Sequence, residues 1–264
     1  MSARYPEPTA PANRLGANVK LSVVIPVYNE ARTVGEVIER VAAVPFEKEI
    51  IAVDDGSTDT TGDELQLHTS SLKQIHSSRV NFGKGAAIRI GLTYVTGDVV
   101  IIQDADLELD PAEYGRLLEP IAAGRATVVY GSRFLGPNAT IPRRTRFANR
   151  VLASLTNLLY GSHLTDMETA YKVFRAEVIR GVRLQSMRFE IEPEITAKLL
   201  RRGERIVEVP VTYRPRTADE GKTIGMRDGI HAIWTLVKWR IAPAASLVER
   251  RREPRARASD VSST

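Results

Sequence analysis

Three acidic side chains stand two residues apart at the end of an apolar run. Asp104, Asp106 and Glu108 directly follow the segment DVVIIQ. Side chains two apart on an extended chain share a face, so the three carboxylates can point the same way. Such a cluster is unfavourable without a counter-ion, and carboxylate oxygens are ligands that Mg²⁺ and Mn²⁺ prefer. The spacing favours Mg²⁺ or Mn²⁺ bound with a diphosphate, and a solvated acidic loop is the alternative.

A second polar segment, residues 54–59 (DDGSTD), follows the apolar run EIIAV. One of its carboxylates can accept a hydrogen bond from a nucleobase imide or a ribose hydroxyl, while Gly56 permits a tight turn. The alternative is a helix N-cap made by Ser57, Thr58 or Asp59. The two uses are compatible, so the segment is a candidate binding loop in either case.

Further candidates for binding anions or moving protons lie in loops. Residues 81–85 (NFGKG) precede a helical pattern, so backbone amides and Lys84 can face a phosphate, although the spacing matches neither a P-loop nor a dinucleotide fingerprint. Asp166 and Glu168 precede a short apolar segment, where a helix cap is the alternative role. The candidate cations are Arg133, Arg143, Arg144, Arg146, Arg216 and Lys222.

Alternating apolar segments must position these residues. The run LSVVIPV predicts a strand over Leu21–Val27, and valines and isoleucines then recur at helical spacing from Val34 to Val41. The same alternation continues through strands near residues 49–53 and 98–103 and helices near 147–159 and 190–202. It predicts an α/β fold with a mostly parallel, doubly wound sheet, whose ligands gather at the carboxyl ends of the strands. The polar segments follow strands, as this fold requires.

Composition bounds the remaining possibilities. The chain has 264 residues, 43% hydrophobic and 26% charged, which is typical of a soluble globular protein. It has no cysteine, so disulfides, thiolate nucleophiles and zinc ribbons are excluded. The net charge is +5, of which residues 240–264 contribute +3 through six arginines against three acidic residues. The nearly neutral body argues against a nucleic-acid-binding protein.

The two ends of the chain differ from the body. We expect residues 1–18 to be a disordered leader, 19–225 the catalytic domain, 226–245 an amphipathic helix and 246–264 a flexible basic tail. The longest uncharged run, residues 151–165, has 15 residues, fewer than the roughly 18 that span a bilayer. We therefore expect a cytoplasmic protein, with peripheral attachment to the inner face of the membrane left open.

The predicted C-terminal helix bears on that attachment. One apolar stripe contains Ile230, Ile233, Trp234, Val237 and Ile241, and Trp239 falls on the opposite side at about 100° per residue. An outward Trp239 between Lys238 and Arg240 suits an interfacial anchor on anionic lipid. Packing against a partner or a neighbouring loop is the alternative.

Five motifs in order resemble family 2 glycosyltransferases with the GT-A fold. They are residues 24–30 (VIPVYNE), 53–59 (VDDGSTD), 81–85 (NFGKG), 103–108 (QDADLE) and 131–133 (GSR). Residues 165–174, 189–198 and 209–222 are similar to the branch that contains dolichol-phosphate mannosyltransferase and bacterial polyprenyl-phosphate glycosyltransferases.

This resemblance implies a metal-dependent, inverting hexosyltransferase. It places a sugar nucleotide, GDP-mannose or UDP-glucose, against one set of residues: Pro26, Tyr28, Glu30, Val53, Asp55, Lys84, Asp104, Ala105, Asp106, Arg133, Arg216 and Lys222. The metal ligands it implies are Asp104, Asp106 and Glu108, although the branch often has Gln at the position of Glu108. Arg133 would meet a phosphate of the donor or acceptor, and Arg216 with Lys222 would close a loop over the diphosphate. One of Arg143, Arg144 and Arg146 would hold the phosphate of a lipid acceptor.

The acceptor decides what else the site needs. A polyprenyl phosphate is already anionic and needs positioning by arginine, whereas a sugar hydroxyl needs a carboxylate base, for which Asp166 and Glu168 are the candidates. Three functions stay open: transfer to a polyprenyl phosphate, transfer to the hydroxyl of a sugar or small molecule, and a non-catalytic nucleotide-binding or membrane-surface module. The donor, the acceptor and the oligomeric state stay open as well.

Overall fold

The computed structural model describes residues 19–136, 141–216 and 226–249. Its strands are β1 (Leu21–Val27), β2 (Lys48–Asp54), β3 (Gln74–Ser77), β4 (Val99–Ile102), β5 (Val128–Ser132), β6 (Lys172–Arg175) and β7 (Ile206–Pro210). Its helices are α1 (Val34–Ala43), α2 (Thr61–Leu67), α3 (Lys84–Tyr94), α4 (Tyr114–Ala122), α5 (Arg143–Tyr160), α6 (Ala176–Arg180), α7 (Ile191–Arg201) and α8 (Met226–Ile241). Strand and helix alternate through most of the chain, as the sequence predicts.

The strands form one mixed sheet in the order β3-β2-β1-β4-β6-β5-β7. Strand β1 pairs in parallel with both β2 and β4, and β5 pairs in parallel with β7. Strand β6 is antiparallel to its neighbours β4 and β5. The predicted, mostly parallel sheet is therefore confirmed, and β7, which ends at Pro210, lies at an edge, where a missing backbone N–H is tolerated.

Core layers cover both faces of the sheet, and all seven residues of the interior strand β1 are buried. Val23 and Ile25 of β1 point into one core layer with Val37 of α1, whereas Val24 points into the other layer with Ile88 of α3. This alternation is the two-residue period of a strand. Helix α3 approaches β1 closely at Gly91, where an added Cβ would clash with Val24.

Helices α5, α7 and α8 pack around a third cluster beside the sheet. It contains Leu152 of α5, Ala197 of α7, and Leu236 and Trp239 of α8. Tyr160 at the end of α5 donates to the carbonyl of Leu236 at 2.5 Å. Among the helices described, none has the length and apolar character that crossing a bilayer requires.

The chain after α8 is docked against the body as far as it is described. The amide of Arg183 donates to the carbonyl of Leu247 at 3.1 Å, and Val248 forms a β-bridge with Val182. The first four residues of the predicted basic tail, 246–249, thus have defined contacts. The predicted leader and the remainder of that tail lie outside the described residues.

Candidate functional site

A large cavity opens at the carboxyl ends of β1, β2 and β4. Its volume is about 1970 Å³, and helices α5 and α8 contribute to its rim. Most of the predicted substrate-binding residues line it: Pro26, Tyr28, Glu30, Asp55, Lys84, Asp104, Ala105, Asp106, Arg133 and Arg216. The structure therefore brings together residues that are up to 190 positions apart in the chain, at the edge of the sheet where α/β folds bind ligands.

Two predicted substrate-binding residues are placed differently. Val53 is fully buried in the core layer that contains Val24, so its side chain is directed away from the cavity. Lys222 lies outside the described residues. Of the three arginines considered for an acceptor phosphate, Arg143 and Arg144 line the cavity, whereas the guanidinium of Arg146 lies 6.0 Å from the centre of the Phe134 ring.

The loops after β1 and β2 support each other. Asn29 adopts a left-handed backbone with φ of +52°, and its side-chain oxygen accepts from the amide of Thr58 at 2.8 Å. Its own amide donates to the hydroxyl of Ser57 at 2.9 Å. Asparagine tolerates this conformation better than most residues, so it suits the turn that brings Tyr28 to the cavity.

Asp55 organises the segment that carries Lys84. Its carboxylate accepts from the amides of Phe82 and Gly83 at 3.0 and 2.6 Å. Burial raises the pKa of Asp55 despite these two hydrogen bonds. The residue predicted to meet a base or ribose therefore also fixes the start of α3, a second role that its spacing in the sequence does not reveal.

Lys84 is held between two carboxylates. Its ammonium lies 2.7 Å from Oδ1 of Asp104 and 3.0 Å from Oε1 of Glu192 on α7. Burial alone would lower the pKa of Lys84, but the two carboxylates outweigh it and raise the pKa. In this structure Lys84 is the counter-charge of Asp104.

Glu108 lines the same cavity as Asp104 and Asp106, but one of its carboxylate oxygens has partners on another segment. Oε1 of Glu108 accepts from the hydroxyl of Tyr213 and the amide of Arg216, at 2.9 and 2.8 Å, so Glu108 anchors that segment. Within the described part of the chain, no three acidic or histidine side chains are arranged to hold a metal ion. The alternation of an ideal strand ends with β4, and the backbone of Glu108 folds back to donate to Asp106 at 3.0 Å.

Asp104 and Asp106 nevertheless have the chemistry of a cation site. Both line the cavity directly after β4, and burial together with the charges of Asp104 and Glu108 raises the pKa of Asp106 to about 7. Arg216 lies 3.2 Å from Asp106 and 2.7 Å from Glu30. Two crowded carboxylates that face cationic side chains fit a divalent cation held with a phosphate group.

Asp166 and Glu168, the two candidates for a general base, have different surroundings in the structure. Asp166 is fully buried, and its oxygens accept from Nε and Nη2 of Arg133 at 2.7 and 2.8 Å. Arg133 itself lines the cavity, and its guanidinium lies 5.2 Å from the centre of the Tyr213 ring. Asp166 thus orients Arg133 from behind the cavity wall, which favours a positioning role for it over proton transfer.

Glu168 faces the cavity instead. Its Oε1 atom is buried and has no hydrogen-bond partner among the described residues. Burial raises the pKa of Glu168 to about 7, although the charges of Lys172 and Arg133 oppose that shift. A cavity-lining carboxylate with a pKa near neutrality is suited to accept a proton from a bound hydroxyl.

The cavity lining also includes residues that the sequence does not single out, among them Arg188, Glu192 and Tyr213. Glu192 and Tyr213 lie in the segments 189–198 and 209–222 that resemble the polyprenyl-phosphate branch, so the resemblance points to their surroundings but not to the residues themselves. Arg188 comes from a loop at least 80 positions away from the acidic residues after β4. The contacts of these residues follow from tertiary packing and not from their spacing in the sequence.

The prediction of an outward Trp239 is wrong. Trp239 is 2% exposed, and the ammonium of Lys198 on α7 lies 3.5 Å from the centre of its ring. The outward tryptophan is Trp234, which is 65% exposed. Ile230 and Ile233 of the same helix are exposed as well. Helix α8 carries apolar residues on both sides, and the side with Ala232, Leu236 and Trp239 packs inward in the cluster that α5 and α7 share.

Known proteins resemble this chain over most of its length. It is 27% identical over 238 residues to undecaprenyl-phosphate mannosyltransferase of Micrococcus luteus, which covers 85% of this chain and 95% of that protein. It is 30% identical over 231 residues to dolichol-phosphate mannosyltransferase of Pyrococcus furiosus, covering 84% of this chain and 64% of the relative.

Solved structures share the fold. Glucosyl-3-phosphoglycerate synthase from Mycobacterium tuberculosis, in complex with Mn²⁺, UDP and glucosyl-3-phosphoglycerate, superposes with a TM-score of 0.68. The two chains are 22% identical, and the match covers 91% of this chain and 88% of the other. This likeness concerns the architecture, which is that of GT-A glycosyltransferases.

The family model described as glycosyl transferase family 2 matches residues 22–183, the stretch that runs from β1 through every strand-end carboxylate described above. Together with the fold, this match shows that the chain belongs to glycosyl transferase family 2.

Proposed function

We propose that this protein is an inverting glycosyltransferase that moves a hexose from a nucleotide sugar, GDP-mannose or UDP-glucose, to a polyprenyl phosphate. The observation that carries the proposal is the shared cavity of Asp104 and Asp106 with Lys84, Arg133 and Arg216. The two carboxylates can hold a metal ion, and the lysine and the arginines can bind phosphate groups. Transfer from a nucleoside diphosphate sugar requires both.

The donor would lie across the ends of β1, β2 and β4. Tyr28 is 43% exposed at the cavity, so its ring is free to contact a nucleobase. Glu30 and Asp55 are within the same wall, where they suit the hydroxyl and imide groups of a nucleoside. The diphosphate would lie against Arg216, whose guanidinium already spans Glu30 and Asp106.

A divalent ion, Mg²⁺ or Mn²⁺, would be held by Asp104 and Asp106. It would neutralise charge on the departing diphosphate. Support comes from the two crowded carboxylates and from the solved relative that contains Mn²⁺ with UDP. Lys84 and Arg216 flank the same pair of carboxylates and would stabilise charge on the diphosphate oxygens directly.

The transfer itself would be a single displacement at the anomeric carbon. An oxygen of the acceptor phosphate forms the new bond from the face opposite the diphosphate, and the bond from the sugar to the diphosphate breaks with its electron pair. An acceptor that is already anionic needs no general base. Arg133, held rigid by Asp166, and the rim residues Arg143 and Arg144 suit the binding of that phosphate.

A lipid acceptor requires access to a membrane surface, and the cavity rim has an apolar side. Phe147 and Val151 of α5 and Ile230 and Ile233 of α8 are exposed and line the rim, and Trp234 is exposed beside them. Exposed apolar side chains next to arginines are typical of helices that lie in the interface of anionic membranes. We propose peripheral attachment of the cytoplasmic protein through this face, which we call the α5–α8 face.

The named relatives support a lipid phosphate acceptor. The Micrococcus luteus and Pyrococcus furiosus proteins are named for undecaprenyl phosphate and dolichol phosphate, and a 29% identical protein of Mycolicibacterium smegmatis is polyprenol monophosphomannose synthase. The decisive experiment incubates the protein with Mn²⁺, a short polyprenyl phosphate and either GDP-mannose or UDP-glucose. We expect mass spectrometry to detect a hexosyl polyprenyl phosphate with one of these donors, whereas no such product with either donor refutes the proposal.

A second candidate function is transfer to the hydroxyl of a sugar or small molecule. The place of Glu168 in the cavity lining and its raised pKa favour it, because a hydroxyl must lose a proton as it attacks. This function predicts that Glu168→Gln abolishes transfer while nucleotide binding survives. Transfer to polyprenyl phosphate that persists in Glu168→Gln favours the lipid acceptor instead.

A further inference from the structure

A continuous chain of ion pairs runs inward from the cavity wall. Lys84 contacts Asp104 and Glu192, and the second oxygen of Glu192, Oε2, lies 2.5 Å from the ammonium of Lys172. The four residues come from the loop after β4, the start of α3, helix α7 and strand β6. Two positive and two negative charges alternate, so the chain is neutral as a whole.

Lys172 anchors the inner end of this chain. Its side chain is fully buried, and its ammonium also donates to the carbonyl of Met167 at 3.1 Å and to the carbonyl of Thr169. Glu192 is 3% exposed, so the position of its carboxylate is fixed by the two lysines. The outer end, in contrast, opens to the cavity at Asp104.

The stability of the fold does not explain why these four charged residues are buried together. The desolvation of buried ions offsets most of their attraction, so buried ion pairs contribute little net stability compared with apolar residues of similar size. Helix α7 is already secured by Ile191, Ile195 and Leu199 in the core. The ion pairs also fix the position of the ammonium of Lys84, since they hold it between Glu192, whose side chain is 4% exposed, and Asp104, whose side chain is 24% exposed.

We propose that Glu192 is a positioning residue of the donor site, and that it acts through Lys84. The inference rests on the proposed function, in which a cation and a diphosphate engage Asp104. Lys84 already contacts both Asp104 and Glu192. When the cation and the diphosphate engage Asp104, the ammonium of Lys84 keeps Glu192 as its carboxylate partner, so Asp104 is released without leaving Lys84 unpaired. Without the charge of Glu192, Lys84 keeps to Asp104 and competes with the incoming cation.

The test is a cycle of variants measured by Mn²⁺ binding. Wild type, Glu192→Gln, Lys84→Met and the double variant are titrated with Mn²⁺, alone and with UDP or GDP, and the free ion is followed by electron paramagnetic resonance. We expect Glu192→Gln to raise the Kd for Mn²⁺ by about tenfold. In the Lys84→Met background the same change should shift the Kd by less than about twofold, because the effect passes through Lys84.

Glu49→Gln is the matched control. Glu49 is also a buried carboxylate that joins two lysines, with Lys20 at 2.6 Å and Lys73 at 3.1 Å, but it lies at the amino end of β2, away from the cavity. We expect its Mn²⁺ affinity to match that of wild type. If Glu192→Gln does not fold, Glu192→Asp, which keeps the charge but is too short to reach both lysines, should raise the Kd in the same direction.

Four results overturn the inference. If Glu192→Gln binds Mn²⁺ as wild type does, Glu192 has no role in Mn²⁺ binding. If Glu192→Gln raises the Kd for Mn²⁺ equally with and without Lys84→Met, Glu192 does not act through Lys84. In both cases the proposed transfer stands. If Glu49→Gln weakens Mn²⁺ binding as much, the effect is a general loss of structure. If wild type binds no Mn²⁺ with or without nucleotide, the inference falls together with the proposed metal, while the transfer reaction is judged by its own assay.

Discussion

Asp166 and Arg133 form a bidentate ion pair behind the cavity wall, with two contacts of 2.7 and 2.8 Å, and the same carboxylate accepts from the backbone amide of Arg133 at 3.0 Å. The amide of Asp166 in turn donates to Glu208 of β7 at 2.9 Å. Because Asp166 binds the Nε and Nη2 atoms of Arg133, the planar guanidinium is held in a fixed orientation, which suits recognition of a phosphate.

Replacing Asp166 with Asn should therefore disrupt acceptor binding more than donor binding. Removing one charge of a buried pair leaves the other uncompensated, so we expect a loss of about 3 kcal/mol in the free energy of unfolding. We also expect the KM for polyprenyl phosphate to rise at least tenfold while the Kd for the nucleoside diphosphate changes little. Denaturant titration and steady-state kinetics check both. Asp98→Asn, at the opposite end of the sheet, is the control, and equal losses in both variants would rule out a specific role.

Glu168 should make stability depend on pH in a defined direction. An unfolded glutamate has a pKa near 4.5, whereas burial raises the pKa of Glu168 to about 7 in the folded protein, so the folded state binds the proton more tightly. Stability from this group is therefore present at low pH and is lost as pH rises from 4.5 through 7. The groups that face Glu168 are Arg133, Asp166, Lys172 and Glu192.

Glu168→Gln should consequently be more stable than wild type at pH 8, by roughly 2 to 3 kcal/mol, and this advantage should shrink toward pH 5. Urea unfolding at the two pH values measures it. The exposed Glu177 supplies the control Glu177→Gln, for which we expect no difference. An advantage that is the same at both pH values would contradict the raised pKa.

Arg216 should contribute to nucleotide affinity. Its guanidinium spans Glu30 and Asp106, so Arg216→Ala removes both a cation for the diphosphate and the contact that joins two walls of the cavity. We expect calorimetry to show a Kd for UDP or GDP at least tenfold higher, since hydrogen bonds to charged groups contribute about 1.5 to 3 kcal/mol. Arg125→Ala, which breaks an exposed pair with Glu119, should leave the Kd unchanged.

The α5–α8 face should bind anionic vesicles. Trp234→Glu places a negative charge among its exposed apolar side chains, and we expect at least a tenfold loss of cosedimentation with vesicles that contain phosphatidylglycerol. Leu67→Glu makes the same change at an exposed apolar residue of α2, outside the face. Equal binding by wild type, Trp234→Glu and Leu67→Glu would exclude this face as the membrane contact.

The sequence predicts the part of the sheet around β1 well because β1, β2 and β4 each contain a buried, mostly apolar run. In β1 all seven residues are buried, and the polar residues that follow β1, β2 and β4 do gather at one edge of the sheet. Parallel strands place their carboxyl ends together, so local patterns suffice to predict which motifs meet.

Contacts made by tertiary packing escape the same patterns. Oε1 of Glu108 accepts hydrogen bonds from Tyr213 and Arg216, more than 100 positions later, which the spacing of the acidic residues does not indicate. Trp239 lies inward with Lys198 of α7 at its ring, and hydropathy alone does not separate it from Trp234. Each of these contacts joins a residue to a partner from a distant element.

The most direct test of the account measures transfer by a variant that lacks both cavity carboxylates after β4. Asp104→Asn/Asp106→Asn is compared with wild type for the formation of hexosyl polyprenyl phosphate in the presence of Mn²⁺, with thermal unfolding to confirm that both are folded. We expect the folded variant to lose at least a thousandfold in rate, because charge on the departing diphosphate is then no longer countered by a held cation. A folded variant that forms product at the wild-type rate would contradict the assignment of this cavity as the site of transfer.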